Sequence, residues 1–123
     1  MSRIYVSADI GGVACISATN EVDMTKQAEY APFREQMTAE VAAACRGAFA
    51  AGAEAVFVKD AHWTGRNLDP HRLSAPPGKT LRLIRGWSGH PFAMVQGIDE
   101  SFRAAAFIGY HAAAGRAGNP LAH

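Results

Sequence analysis

A chain of 123 residues that is 49% hydrophobic and 19% charged, with a formal net charge of +1, is expected to form one compact soluble domain with an ordinary core. Lys and Arg are scattered among Asp and Glu, so neither a nucleic-acid backbone nor an anionic membrane is an expected partner. No apolar run approaches the length of a membrane span, and no secretory signal is read before the first strand pattern.

From Arg3 to Ile10 the residues Ile4, Val6, Ala8 and Ile10 alternate with Tyr5, Ser7 and Asp9, the period of a strand, which Gly11-Gly12 ends. Cys15 to Ala31 lacks sustained periodicity and reads as a long loop with a short helical turn. Connections of that length in a small domain are usually functional or wrongly assigned. Pro32 and Phe33 open a predicted helix carrying Met37, Val41, Cys45 and Ala48 at spacings of three and four, stopped by Gly52. Ala55-Val56-Phe57-Val58 is a short apolar run of the kind found in a central parallel strand.

Trp63 to Lys79 is a turn-rich connection, with a short helical turn expected at Asn67-Leu68. Leu81 to Arg85 alternates as a third strand, and a short helix is predicted from Val95 to Phe102. Ala104-Ala105-Ala106-Phe107-Ile108 is ambiguous between helix and strand, and strand is preferred because Gly109-Tyr110-His111 reads as a strand running out into a site. The expected fold class is therefore α/β, a mostly parallel sheet flanked by helices, incomplete without a partner or a carboxy-terminal half. Cys15 and Cys45 have no C-x-x-C spacing, so a buried free thiol in a reducing cytoplasm is the expectation for Cys45.

In an open parallel sheet the strand C-termini converge on one edge, where ligands bind. Asp9 ends the first strand, Asp60 and His62 follow the second, and His111 follows the last. One carboxylate and two imidazoles from separate strands are ligand types for zinc or a similar borderline ion. Each also has a plain structural role open to it: Asp9 as a turn cap, His62 as a surface residue, His111 as a core histidine. His71 and His90 lie in Pro-flanked loops, and Arg82, Arg85 and Arg103 read as solvated faces. Gly11-Gly12 is not followed by G-x-G-x-x-G, and the chain has no G-K-[ST], G-x-S-x-G or H-E-x-x-H.

The segments Ser7-Ala8-Asp9-Ile10-Gly11-Gly12, Val58-Lys59-Asp60-Ala61-His62, Pro91 to Asp99, Phe102-Arg103 and Gly109-Tyr110-His111-Ala112 resemble consecutive blocks of the DppA-like D-aminopeptidases, self-assembling zinc peptidases of bacteria. They occur in family order along the whole chain. The resemblance implies a two-zinc site on an α/β domain, amide hydrolysis, a small peptide or amide substrate and a homo-oligomer. By position, Asp9 matches the metal-bridging aspartate, His62 and His111 the histidine ligands, and His123 a catalytic histidine. Asp60 matches a neighbouring acidic position that orients a ligand from behind. Gly11 stands where the family motif S-x-D-x-E-G has its glutamate ligand. Family members are also roughly double the length, and a further glutamate ligand lies in the part beyond.

Residues 1–123 are thus read as the amino-terminal part of a single hydrolase-type domain. The end at His123 has three readings: a truncation, a gene fragment, or processing of a precursor after His123. In the last, a self-processed amide hydrolase would carry its Thr, Ser or Cys nucleophile on a second chain. A non-catalytic scaffold subunit is the third alternative. Either hydrolase reading leaves the sheet with an open edge that a partner must cover.

Overall fold

Residues 2–123 are described in a computed structural model. Four strands, β1 (Arg3–Ala8), β2 (Ala55–Asp60), β3 (Thr80–Ile84) and β4 (Ala104–Ile108), form one sheet in the order β3-β2-β1-β4. Every neighbouring pair is parallel, with Ala8 opposite Asp60 on one side and Ile108 on the other. The fold class is α/β, as expected. All strand C-termini therefore open on the same edge.

β1 stops at Ala8, short of the expected Ile10. The Asp9 amide still bonds the Ile108 carbonyl at 2.9 Å, and the chain then turns as Val13 N–H reaches the Ile10 carbonyl. Asp9 is consequently the first residue outside the strand, aimed beyond the sheet edge.

One α-helix, α1 (Gln27–Ala50), packs on one face of the sheet. Met37, Val41, Cys45 and Phe49 meet Val6, Ala8, Val56 and Val58 in a single core cluster, as the helical spacing predicted for the first three. The helix begins at Gln27, five residues before the expected start at Pro32. A proline early in a helix forfeits one backbone bond, and the buried Tyr30 ring in the preceding turn outweighs that loss. Gly52 stops the helix at a φ of 104°. Met37→Ala, at a position with 0% exposure, is expected to lower stability by about 2–5 kcal/mol in urea denaturation.

On the opposite face the connection between β3 and β4, which holds no α-helix, covers Tyr5 and Ser7 of β1, while Arg82 and Phe107 stay exposed. A helix was predicted from Val95 to Phe102, but only a single 3₁₀ turn, Ala93–Val95, forms there. The reason is tertiary. Ser7 Oγ donates to the Met94 carbonyl and Tyr5 Oη to the Gln96 carbonyl, both at 2.6 Å, taking acceptors that a helix would use. Gly97, at a φ of 82°, then turns the chain away.

The long loop after β1 does hold a short turn, at Thr19–Val22. The turn expected at Asn67-Leu68 sits instead at Pro70–Arg72, where the Asp69 carboxylate caps it. The alanine run resolves as strand β4, with Ala104, Ala105 and Phe107 exposed along the edge. No helix among the described residues is long and apolar enough to cross a membrane.

Candidate metal centre

Three strand ends deliver the centre: Asp9 just after β1, His62 in the turn after β2 and His111 just after β4. The Asp9 side chain is 7% exposed. Its Oδ1 accepts from the Ile10 amide at 2.8 Å and faces His62 Nδ1 at 3.2 Å. Its Oδ2 faces His111 Nε2 at 3.7 Å. One carboxylate thus addresses one imidazole with each oxygen.

The other nitrogen of each ring is tied to the main chain. His62 Nε2 donates to the Val22 carbonyl at 2.6 Å, and His111 Nδ1 donates to the Ala112 carbonyl at 2.8 Å. A backbone carbonyl that fixes one N–H leaves the opposite nitrogen to ligate, the arrangement that orients metal-binding histidines. Burial pulls the His62 pKa down, but its bonds to Asp9 and Val22 and the nearby carboxylate charges outweigh that and raise it above the ordinary histidine value.

His123 joins from the carboxy-terminal loop. Its ring stacks on His111 with centroids 3.9 Å apart and planes 26° from parallel. Nδ1 of His123 is engaged by the Leu121 carbonyl at 2.7 Å, which leaves Nε2 for other work.

Asp60 is the exception. It has 0% exposure, and its carboxylate accepts from Asn67 N at 2.6 Å, Leu68 N at 2.7 Å and Asn67 Nδ2 at 2.9 Å. Asn67 Nδ2 also donates to the His62 carbonyl at 2.7 Å, while its Oδ1 accepts from Tyr30 Oη at 2.7 Å. Asp60 therefore makes its hydrogen-bonded link to the centre through Asn67, shaping the His62 turn and fixing it to α1, and adds its charge to those that raise the His62 pKa. Asn67 was visible in the sequence only as a turn residue, because its partnership with Asp60 depends on three-dimensional placement.

Two further residues escaped sequence reasoning. Tyr110 Oη and Ser7 Oγ lie 2.5 Å apart, and since Ser7 donates onward to Met94, Tyr110 is the donor in this pair. That bond anchors the segment leading into His111. No local motif announces it.

Gly11 has a steric consequence. A Cβ there would lie 3.0 Å from His111 Cβ and 3.1 Å from His111 Cδ2, so the His111 ring occupies space that a side chain at position 11 would contest. The donors turned to one another are one carboxylate, Asp9, and two imidazoles, His62 and His111, ligand types that suit zinc. Among the described residues no group of three or more His, Cys, Asp or Glu side chains is closed into a metal-holding cluster, and the convergence on Asp9 is pairwise.

Cys45 lies away from this edge in the α1 core, where burial pushes its thiol up to about 11, so it stays protonated and inert. Cys15 is exposed and free.

A parallel α/β sheet with nitrogen and oxygen donors gathered at its C-terminal edge has its donors where open α/β sheets bind ligands. The chain belongs to the D-aminopeptidase family, whose sequence profile matches residues 2–123. It is 35% identical over 116 residues to a D-aminopeptidase of Bacillus subtilis (strain 168), covering 94% of this chain and 40% of that protein. Among solved structures it is similar to the Zn-dependent D-aminopeptidase DppA from Bacillus subtilis, a self-compartmentalizing protease, with a TM-score of 0.82 and 36% identity. That match covers 93% of this chain and 39% of the other. The chain thus spans about two fifths of the length of these relatives.

Proposed function

We propose that this chain is the amino-terminal part of a zinc-dependent peptidase that cleaves amide bonds in small peptides or amides. The observation that carries this reading is the pair of backbone-oriented imidazoles, His62 and His111, each turned to a separate oxygen of Asp9. The Bacillus subtilis relative is a D-aminopeptidase, and its solved structure is that of a Zn-dependent D-aminopeptidase. Neither the self-processed reading nor the scaffold reading draws support from them.

In this proposal Asp9, His62 and His111 hold the metal, and residues outside 1–123 complete its coordination in place of Gly11. A bound zinc supplies polarisation of the scissile carbonyl and a lowered pKa for the attacking water. His123, with Nδ1 fixed on Leu121, presents Nε2 to take and return the proton. Asp60 keeps the His62 turn in register through Asn67. Parallel sheets are normally covered on both faces and paired at their edges, so the exposed residues of β4 mark where further polypeptide or another copy docks. A cytoplasmic homo-oligomer is the proposed working form.

The test is elemental analysis of the full-length protein alongside hydrolysis of small aminoacyl amides. Zinc is expected in the active protein, and His111→Ala is expected to lose metal and turnover together. Unchanged hydrolysis by a chelator-treated sample shown to be free of metal would overturn the reading.

A further inference from the structure

Two large aromatic side chains stand out of the fold beside the centre. Trp63 is 53% exposed and Trp87 is 45% exposed. They lie on the connections that leave the C-terminal ends of β2 and β3, the edge that carries His62.

Trp63 holds a φ of 46°, in the left-handed region that bulky residues avoid. The surroundings enforce it. Gly65 N–H closes a turn onto the His62 carbonyl at 2.8 Å, and Gly86 N–H bonds the Gly65 carbonyl at 2.9 Å. The Trp87 indole N–H donates to the Trp63 carbonyl, tying the two tryptophans together. Below them Lys59, with 0% exposure, donates its ammonium to the Asp60 and Gly86 carbonyls and lies 3.9 Å from the centroid of the Trp87 ring.

Backbone strain of this kind persists where the surrounding structure over-determines it, and it clusters at ligand-binding sites. Glycine would satisfy the same backbone without strain, so the turn itself does not require tryptophan. What the tryptophan adds is an exposed ring whose centroid is 6.4 Å from that of His62. The other exposed aromatics lack this link: Phe107 packs on Tyr110 along the open strand, and Phe92 packs on His90.

We infer that Trp63 and Trp87 form the wall of a specificity subsite that takes the apolar side chain of the residue whose amide is cleaved. The inference rests on the hydrolase reading above and adds the substrate class. An aromatic wall favours apolar groups and cations. Lys59 lies against one face of Trp87, and its positive charge disfavours a second cation beside that ring, so a neutral aliphatic or aromatic side chain is the matching occupant. The Lys59 charge itself is buried and is not offered to an anionic side chain.

The experiment uses the full-length protein and a series of glycine, alanine, leucine and phenylalanine amides, in the configuration that is turned over best. Wild type is expected to favour leucine amide over glycine amide by at least about tenfold in kcat/KM, the discrimination that a few methylenes give in an apolar pocket. Trp63→Gly, which removes the ring and relieves the backbone, is expected to bring that ratio close to unity. Trp87→Ala, which removes the other ring, is the second variant, expected to shrink the ratio if Trp63→Gly does not fold. A ratio unchanged in the folded variants overturns the subsite.

Should the protein hydrolyse no amide, the hydrolase reading fails separately. Binding of leucine amide against glycine amide, read by tryptophan fluorescence and calorimetry, then decides the wall: preference lost in Trp63→Gly supports it, and no preference in wild type overturns it. Acrylamide quenching adds a further check. Tryptophans shielded in the ligand-free assembly would mean that a second copy or the remaining polypeptide covers them, which also overturns the proposal.

Discussion

Gly109→Ala is expected to lower stability by about 3–5 kcal/mol, combining a left-handed backbone penalty with overpacking that neighbouring main chain cannot relieve. Gly109 holds a φ of 70°, and a Cβ there would stand 2.2 Å from the Asp9 carbonyl oxygen and 3.0 Å from Val13 Cγ2. Because the opposing atom is backbone, rotating a side chain does not help. Only separation of the β1 and β4 exits makes room, and those exits carry Asp9 and His111. The Gly12 N–H bond to the Gly109 carbonyl at 2.7 Å would stretch with them. Gly47→Ala is the matched control, since a Cβ inside α1 at that position meets nothing within 4 Å and is expected to stabilise by about 0.5–1 kcal/mol. Urea denaturation of both variants checks the pair, and a Gly109→Ala protein within error of wild type would show that the strand exits are plastic.

That same crowding explains what sequence reasoning reached and what it missed. β1 and α1 are legible because Val6, Met37 and Val41 repeat at the periods of their elements, and β2 because Ala55 to Val58 is a short continuous apolar run; all three face one core. Gly109 followed by Tyr110-His111 favours strand for the alanine run, and β4 forms there. The start of α1 was misread because Pro32 looks like a first helical residue, whereas burial of Tyr30 draws the preceding turn into the helix. Val95 to Phe102 was misread as helix because local propensity does not include Tyr5 and Ser7, which approach from a distant strand and take the carbonyls of Gln96 and Met94. At the centre, Asp9, His62 and His111 were legible from residue type and placement at strand ends. The Val22 and Ala112 carbonyls that orient the rings were not, since a main-chain oxygen leaves no mark in the sequence. The sequence places Asp60 beside His62 at the end of the second strand, and the resemblance implies an orienting role for it. Its route to the centre, through Asn67, becomes visible only once the chain is folded.

Asp9→Asn is expected to remove metal binding and to cut amide hydrolysis on the order of 10³-fold, about 4 kcal/mol in the barrier. The side chain keeps its size, so the packing around a residue that is 5% exposed is preserved. The electrostatics are not. The negative charge that pairs with His62 is lost, and one of the two oxygens facing the imidazoles becomes an amide N–H₂. Whichever way the amide turns, it presents a donor to one ring nitrogen, and a metal site requires that nitrogen to be an unprotonated ligand. Asp60→Asn separates charge at the centre from support of the centre. It disturbs three buried bonds to Asn67 and Leu68, so its first effect is on stability, with activity falling through displacement of the His62 turn. Zinc content, urea denaturation and kcat/KM measured on both variants distinguish the two roles. Asp9→Asn is expected to lose zinc at near-native stability, and Asp60→Asn to lose stability first, with zinc binding weakened only as far as the His62 turn is displaced. An Asp9→Asn protein that keeps its full zinc content would remove Asp9 from the ligand set and leave its carboxylate as the partner of His62 alone.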